Sequence, residues 1–132
     1  MYMLDTNICV FLINNKSPAL AKRIADVPFE EVSISSITQS ELAYGVAKSQ
    51  HTAKNALALA RFLSTLTVLA FDAEAAEAYG EIRAALERKG TVIGQFDMLI
   101  AAHAKAKGFR IVTNNTSEFM RVDGLVVEDW TK

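Results

Sequence analysis

The sequence predicts an α/β fold with a central parallel sheet covered by helices on both faces, and three observations carry that expectation. Short apolar runs recur along the chain at Met3-Leu4, Val32–Ser35, Thr67–Phe71, Arg110–Val112 and Leu125–Val127. Stretches with apolar residues at helical spacing separate them, and successive parallel strands need such crossovers, each a dozen or more residues long. The chain has 132 residues, 51% of them hydrophobic, enough to build one core without disulfides or metal staples. No linker composition, low-complexity window or repeat divides it, so residues 1–132 read as a single domain.

Each element has its own signal. Met3-Leu4 ends in Asp5-Thr6-Asn7, after which Ile8, Phe11 and Leu12 recur with helical period, giving strand then helix. Pro18 opens a second helix through about Asp26, since its missing amide hydrogen would be unpaired in a first turn anyway, and Pro28 closes it. Val32-Ser33-Ile34-Ser35 alternates apolar and polar as a half-buried strand does. Thr38 and Glu41 have the spacing of a capping box at the start of the next helix. Thr52–Leu66 carries Leu59, Phe62, Leu63 and Leu66 on one face, and the strand Thr67–Phe71 follows. Ala73–Lys89 is alanine-rich with Ala75, Tyr79, Ile82 and Leu86 in phase, and Gly90 stands where a helix ends. The helix opening at Asp97 has so few polar residues before Gly108 that it must be buried on more than one side.

Composition excludes several classes of function. A single cysteine, Cys9, forbids an internal disulfide, and one cysteine with two distant histidines offers no zinc-ligand set. No apolar stretch approaches the ~20 residues that span a bilayer, so a cytoplasmic protein without membrane contact is expected. Fourteen Lys and Arg stand against fifteen Asp and Glu, which argues against coating nucleic acid by bulk charge and confines any such contact to a local surface.

In open α/β sheets the functional crevice lies beyond the carboxyl ends of the strands, where strand order reverses. Asp5 and Thr113-Asn114-Asn115 directly follow strands, Glu41 falls within about a turn of a strand–helix junction, and Asp97 opens a buried helix. The topology can gather all four points on one rim. Carboxylates crowded there repel one another unless a cation joins them, and an oxygen-only donor set favours Mg²⁺ or Mn²⁺ over Zn²⁺. Such ions polarise phosphoryl oxygens, so the chemistry implied is phosphodiester hydrolysis. Each acid also has a structural use. Asp5 and Asp97 can cap their helices, and Glu41 can complete the capping box with Thr38.

In order and at this length, Met3-Leu4-Asp5-Thr6-Asn7, Ser36-Ile37-Thr38-Gln39-Ser40-Glu41-Leu42, Gly94-Gln95-Phe96-Asp97-Met98-Leu99-Ile100-Ala101-Ala102-His103-Ala104 and Val112-Thr113-Asn114-Asn115 through Phe119 resemble the PIN-domain nucleases, most closely the VapC toxins of type II toxin–antitoxin modules. The resemblance implies a three-layer PIN-like fold and a metal-dependent endoribonuclease. Its acidic site would be Asp5, Glu41 and Asp97, with Asp5 and Asp97 holding Mg²⁺ or Mn²⁺ and with Thr6 and Thr113 in support. It also implies a homodimer and a cognate VapB-type antitoxin that crowds the cleft, with DNA contacted only through the antitoxin. A structured RNA, such as a tRNA and in particular the initiator tRNA, is the substrate the resemblance suggests. Many family members carry a fourth acid at the position of Asn115, for which Glu118 can substitute. Arg83, Arg88 and Lys89, ahead of the glycine loop that leads to Asp97, are the candidate contacts to RNA phosphates. A phosphoacceptor receiver domain would need an acidic pair after the first strand and a late Lys, and a haloacid-dehalogenase-like phosphatase would need Asp-x-Asp-x-Thr. Asp5-Thr6-Asn7 and Thr113-Asn114-Asn115 supply neither. A degenerate PIN domain that binds RNA or protein without cutting is the closer rival.

Overall fold

Five short strands make one all-parallel sheet in the order β3-β2-β1-β4-β5, in a computed structural model that describes residues 1–132. The strands are β1 (Tyr2–Leu4), β2 (Val32–Ser35), β3 (Thr67–Leu69), β4 (Arg110–Val112) and β5 (Val127–Glu128). The helices are α1 (Thr6–Ile13), α2 (Pro18–Ala25), α3 (Ser36–Ala47), α4 (Thr52–Leu63), α5 (Ala73–Lys89), α6 (Gln95–Lys107) and α7 (Thr116–Phe119). From β1 the chain moves outward through β2 and β3, then returns to lay β4 on the other side of β1. The reversal places the topological switch point between β1 and β4, where Asp5 and Thr113 leave the sheet.

Neighbouring residues of one strand point to opposite faces, and the two cores follow that alternation. Met3 and Ile111 pack with Ile82, Leu86, Ile100 and Phe119 under α5 and α6. Leu4 and Val112 pack with Ile8, Leu20, Ile34 and Trp130 on the opposite side. Helix α3 serves both, through Ile37 toward the first core and Leu42 in the second. The architecture is therefore the three-layer one expected. Trp130 secures the chain end by an edge contact with the Tyr2 ring and an Nε1–H bond to Glu128 at 2.9 Å.

Some boundaries differ from expectation for local reasons. Helix α1 begins at Thr6 rather than near Ile8, because Asp5 is its N-cap. Strand β2 is buried at all four residues instead of alternating, as a parallel strand covered on both faces must be. The Ser33 hydroxyl is satisfied by donating to the Tyr2 carbonyl at 2.9 Å. Thr38 and Glu41 form no capping box. Ser35 caps α3 by accepting the Ile37 N–H, so Thr38 and Glu41 both lie inside the helix. Helix α4 stops at Leu63, and β3 ends at Leu69. Helix α6 starts at Gln95 behind a Gly94 cap, putting Asp97 in the first turn. Strand β5 starts at Val127, and α7 was not anticipated.

Candidate active site

Asp5 lies at the end of β1, 3% exposed, and is held from three directions. Its backbone N–H donates to the Val112 carbonyl across the switch point at 3.0 Å. One carboxylate oxygen, Oδ1, accepts the Ile8 N–H at 2.9 Å, and the other, Oδ2, accepts the Thr113 hydroxyl at 2.5 Å. The capping use and the site use of this residue are thus compatible, one oxygen for each. Thr113 is itself fully buried, and its hydroxyl also accepts the Asn115 N–H at 2.9 Å. Burial raises the Asp5 pKa, the Thr113 and Ile8 bonds pull it back, and the neighbouring Glu41 charge adds to the rise.

Glu41 reaches the same rim from the second turn of α3. Its Oε1 accepts the Thr6 hydroxyl at 2.6 Å, and that hydroxyl lies 3.3 Å from the buried hydroxyl of Thr38. Thr6 therefore orients Glu41, whereas Thr113 orients Asp5. Asp97 is partly exposed in the first turn of α6, where the helix dipole favours a charged carboxylate. Its pKa is nonetheless pushed up to about 6, first by burial, then by the charges of Asp5 and Glu118, by a hydrogen bond with Glu118, and by Glu41. A hydrogen bond between two carboxyl groups requires one of them to keep a proton.

Three acids from other parts of the chain, Asp5, Glu41 and Glu118, thus act on Asp97 here, and Asp5 feels the charges of Glu41 and Asp129. Glu118 comes from α7, and Asn115, the cap residue of α7, donates its amide to Glu118 Oε2 at 2.8 Å. Asn115 thereby supports the fourth carboxylate without adding charge itself. As the side chains stand, no three of the acids close into a ligating cluster. Their donors are all oxygen, and the carboxylates around Asp97 add to the burial that pushes its pKa up, a repulsion that a positive charge would relieve. The residues fit a hard divalent cation.

The basic candidates are all exposed, and two are engaged on the protein itself. Arg83 pairs with Glu87 at 3.3 Å and donates to the Tyr79 hydroxyl, and Lys89 pairs with Asp123 at 2.8 Å. Arg88 has no such partner. Arg83 still borders a groove of about 190 Å³ with Gln95 and Met98, residues that flank Asp97 in α6. A second groove, about 270 Å³, runs from Thr6 and Glu41 along Val10, Leu42, Val46 and Leu59.

Comparison with known proteins agrees with the resemblance. The PIN domain family model matches residues 2–125. The tRNA(fMet)-specific endonuclease VapC of Shigella flexneri is 48% identical over 130 residues, covering 98% of both chains. Ribonuclease VapC2 of Rickettsia felis is 45% identical over 139 residues, covering 100% of this chain and 99% of that one. Among solved structures, DNA-bound VapBC of Salmonella typhimurium aligns at 45% identity with a TM-score of 0.93, covering 98% of this chain and 97% of that one. VapBC2 of Rickettsia felis, bound to a promoter DNA fragment, aligns at 42% identity with a TM-score of 0.90, covering 98% of both.

Proposed function

The chain belongs to the PIN-domain family and groups with its VapC members, and we propose that it is the ribonuclease toxin of a toxin–antitoxin module, cutting RNA phosphodiester bonds with Mg²⁺ or Mn²⁺. The observation that carries the reading is the convergence of Asp5, Glu41, Asp97 and Glu118 on the β1–β4 switch point, with Asp97 pushed up to about 6. Asp5 and Asp97 would hold the cation, and Glu41 and Glu118 would complete its negative surround. When bound, the ion neutralises that surround and polarises a phosphoryl oxygen of the substrate.

The protein's own groups do the positioning. Thr113 and the Ile8 N–H fix both oxygens of Asp5, so this carboxylate meets its ligand without searching rotamers. Thr6 holds Glu41 on the same rim, where its free oxygen can orient or deprotonate an attacking water. Asp97 keeps a proton to higher pH than an ordinary carboxyl, and a cation held beside it would favour its ionised form. Arg83 lines the approach as a phosphate contact, with the exposed Arg88 on the same helix, and such contacts position RNA and do not read its sequence. The substrate named for the Shigella flexneri relative, tRNA(fMet), is proposed for this chain too. So are a homodimer and an antitoxin of the VapB type, the latter because solved relatives were captured as VapBC complexes bound to DNA. The apolar groove beginning at Glu41 suits a partner segment that crowds the catalytic rim, with DNA reached only through that partner.

The test incubates purified protein, freed of any copurifying partner, with total cellular RNA with and without Mg²⁺ or Mn²⁺, beside an Asp97→Asn variant. Cation-dependent cuts absent from the variant are expected, and a discrete tRNA product identifies the target. Equal cleavage by both proteins removes the proposed site. Binding without cleavage under any metal establishes instead the non-catalytic reading that Asn115, in place of a fourth acid, would favour.

A further inference from the structure

His103 is fully buried in α6, yet only one of its ring nitrogens has a partner. Nδ1 lies 2.8 Å from the Ser35 hydroxyl, 68 residues away in sequence, while Nε2 has none. Burying an imidazole with half its hydrogen-bonding capacity unused is costly, and a leucine or phenylalanine would fill the volume at less expense. The bond it does make connects two halves of the site. Helix α6 carries Asp97 and packs chiefly on α5. Ser35 ends β2 and caps α3, the helix that carries Glu41. The His103–Ser35 bond is the only side-chain hydrogen bond between α6 and the β2–α3 segment.

We propose that His103 is a positioning residue, which sets the start of α3 against α6 and so fixes Glu41 relative to Asp97. The Ser35 hydroxyl accepts the Ile37 N–H at 3.1 Å and bonds Nδ1 at 2.8 Å, a pair of bonds that the neutral ring makes in either tautomer, because a hydroxyl both donates and accepts. Burial lowers the His103 pKa and so favours that neutral form. From Ser35 the connection continues within the first turns of α3. Thr38 is fully buried against the Thr6 hydroxyl that holds Glu41. Loss of the His103–Ser35 bond lets the start of α3 move as a unit, carrying Glu41 with it, while Asp97 stays with α5 and α6. Small displacements of this kind act on the chemical step, because reacting groups misplaced by about 1 Å can lose about a hundredfold in rate.

The kinetic arm of the test rests on the RNA-cleavage reading above, whereas the exchange arm does not. His103→Leu fills the volume without a polar group, and His103→Asn offers an amide near the place of Nδ1. Amide hydrogen exchange is followed by NMR in the metal-free protein, and cleavage of total tRNA is measured with Mg²⁺. In His103→Leu, exchange at Ile37 through Glu41 accelerates by about tenfold or more while the α5 core amides keep their protection, and His103→Asn restores most of it. The kcat of His103→Leu falls by about ten- to a hundredfold with KM changed by less than about twofold, and the Asn variant recovers it. The double variant Ser35→Ala/His103→Leu is no worse than the worse single, as expected for two ends of one bond. Unchanged exchange in α3 overturns the proposal. So does a kcat loss that Leu and Asn share equally. If the wild type cleaves no RNA, the nuclease reading fails, and the exchange arm alone decides whether His103 holds α3.

Discussion

Replacing Asp97 by Asn should stabilise the metal-free protein while abolishing its activity, and both effects have one origin. In the unfolded chain Asp97 ionises near 3.8, whereas in the folded protein burial and then Asp5, Glu118 and Glu41 push it up to about 6. Between those two values the folded state holds a proton that the unfolded state has released, so stability falls as pH rises through the window. The full rise corresponds to about 3 kcal/mol at pH above about 6. Asp97 is partly exposed, and solvent screening reduces that to about 1–2 kcal/mol. Asn cannot ionise, so Asp97→Asn avoids the penalty. For a chain of 132 residues the gain appears as a melting temperature higher by about 3–8 °C. Calorimetry in chelator from pH 4 to pH 8 should show the two proteins converging near pH 4 and separating to the full difference above about pH 6. A difference that is absent at pH 8, or that persists undiminished at pH 4, would refute the idea that Asp97 is destabilised by being charged among the other acids.

The same site sets four further expectations. Adding Mg²⁺ at pH 7.5 should raise the wild-type melting temperature and leave Asp97→Asn nearly unmoved, since a ligand stabilises only the state that binds it. In cleavage assays kcat/KM should fall about tenfold per pH unit below about pH 6, and more Mg²⁺ should move that limb to lower pH because proton and cation compete for one site. Thr113→Val leaves Asp5 without its hydroxyl donor and the Asn115 N–H without an acceptor; denaturant titration should show a loss of about 1–3 kcal/mol, with kcat reduced more than KM is raised. Asn115→Asp exchanges an amide donor to Glu118 for a like charge, so the metal-free protein should melt lower while Mg²⁺ binds more tightly by calorimetry. An unchanged affinity in that variant would place residue 115 outside the cation's reach.

Much of this site was legible in the sequence because it depends on where strands end. Asp5 and Thr113 follow β1 and β4 directly, and parallel neighbours joined by crossovers must place such residues side by side. Asp97 was legible as an acid entering an apolar helix. What local patterns could not supply was the choice between structural and chemical use, which is made by tertiary partners. Thr38 and Glu41 have capping-box spacing, yet Ser35 takes the cap, and Glu41 finds its hydroxyl in Thr6, thirty-five residues away. Strand β2 alternates in sequence but is buried on both faces, since Ser33 and Ser35 carry their own hydrogen bonds inward. Helix α7 is too short for any periodic signal, although it carries the fourth carboxylate. The role of His103 was likewise invisible, since the meaning of a lone imidazole in an apolar helix depends on a serine five elements and 68 residues back along the chain.

On the proposed reading, Glu118 takes the place of a fourth acid at position 115. A carboxylate at position 115 would stand two residues past Thr113, the hydroxyl donor to Asp5, whose burial already raises its pKa. Moving the charge three residues on, to one turn of α7, keeps it coupled to Asp97, and Asn115 becomes the donor that orients it. That arrangement would keep a fourth acid at the rim and spare Asp5 a further neighbour. If that exchange of roles is right, Glu118→Gln should lower the Asp97 pKa by removing its carboxylate neighbour and should weaken Mg²⁺ binding. The two effects oppose each other in activity but are separable in measurement, by carboxyl NMR titration of the metal-free protein and by calorimetry. A variant in which neither quantity moves would show that the fourth acid is dispensable, leaving Asp5, Glu41 and Asp97 as the whole of the charged site.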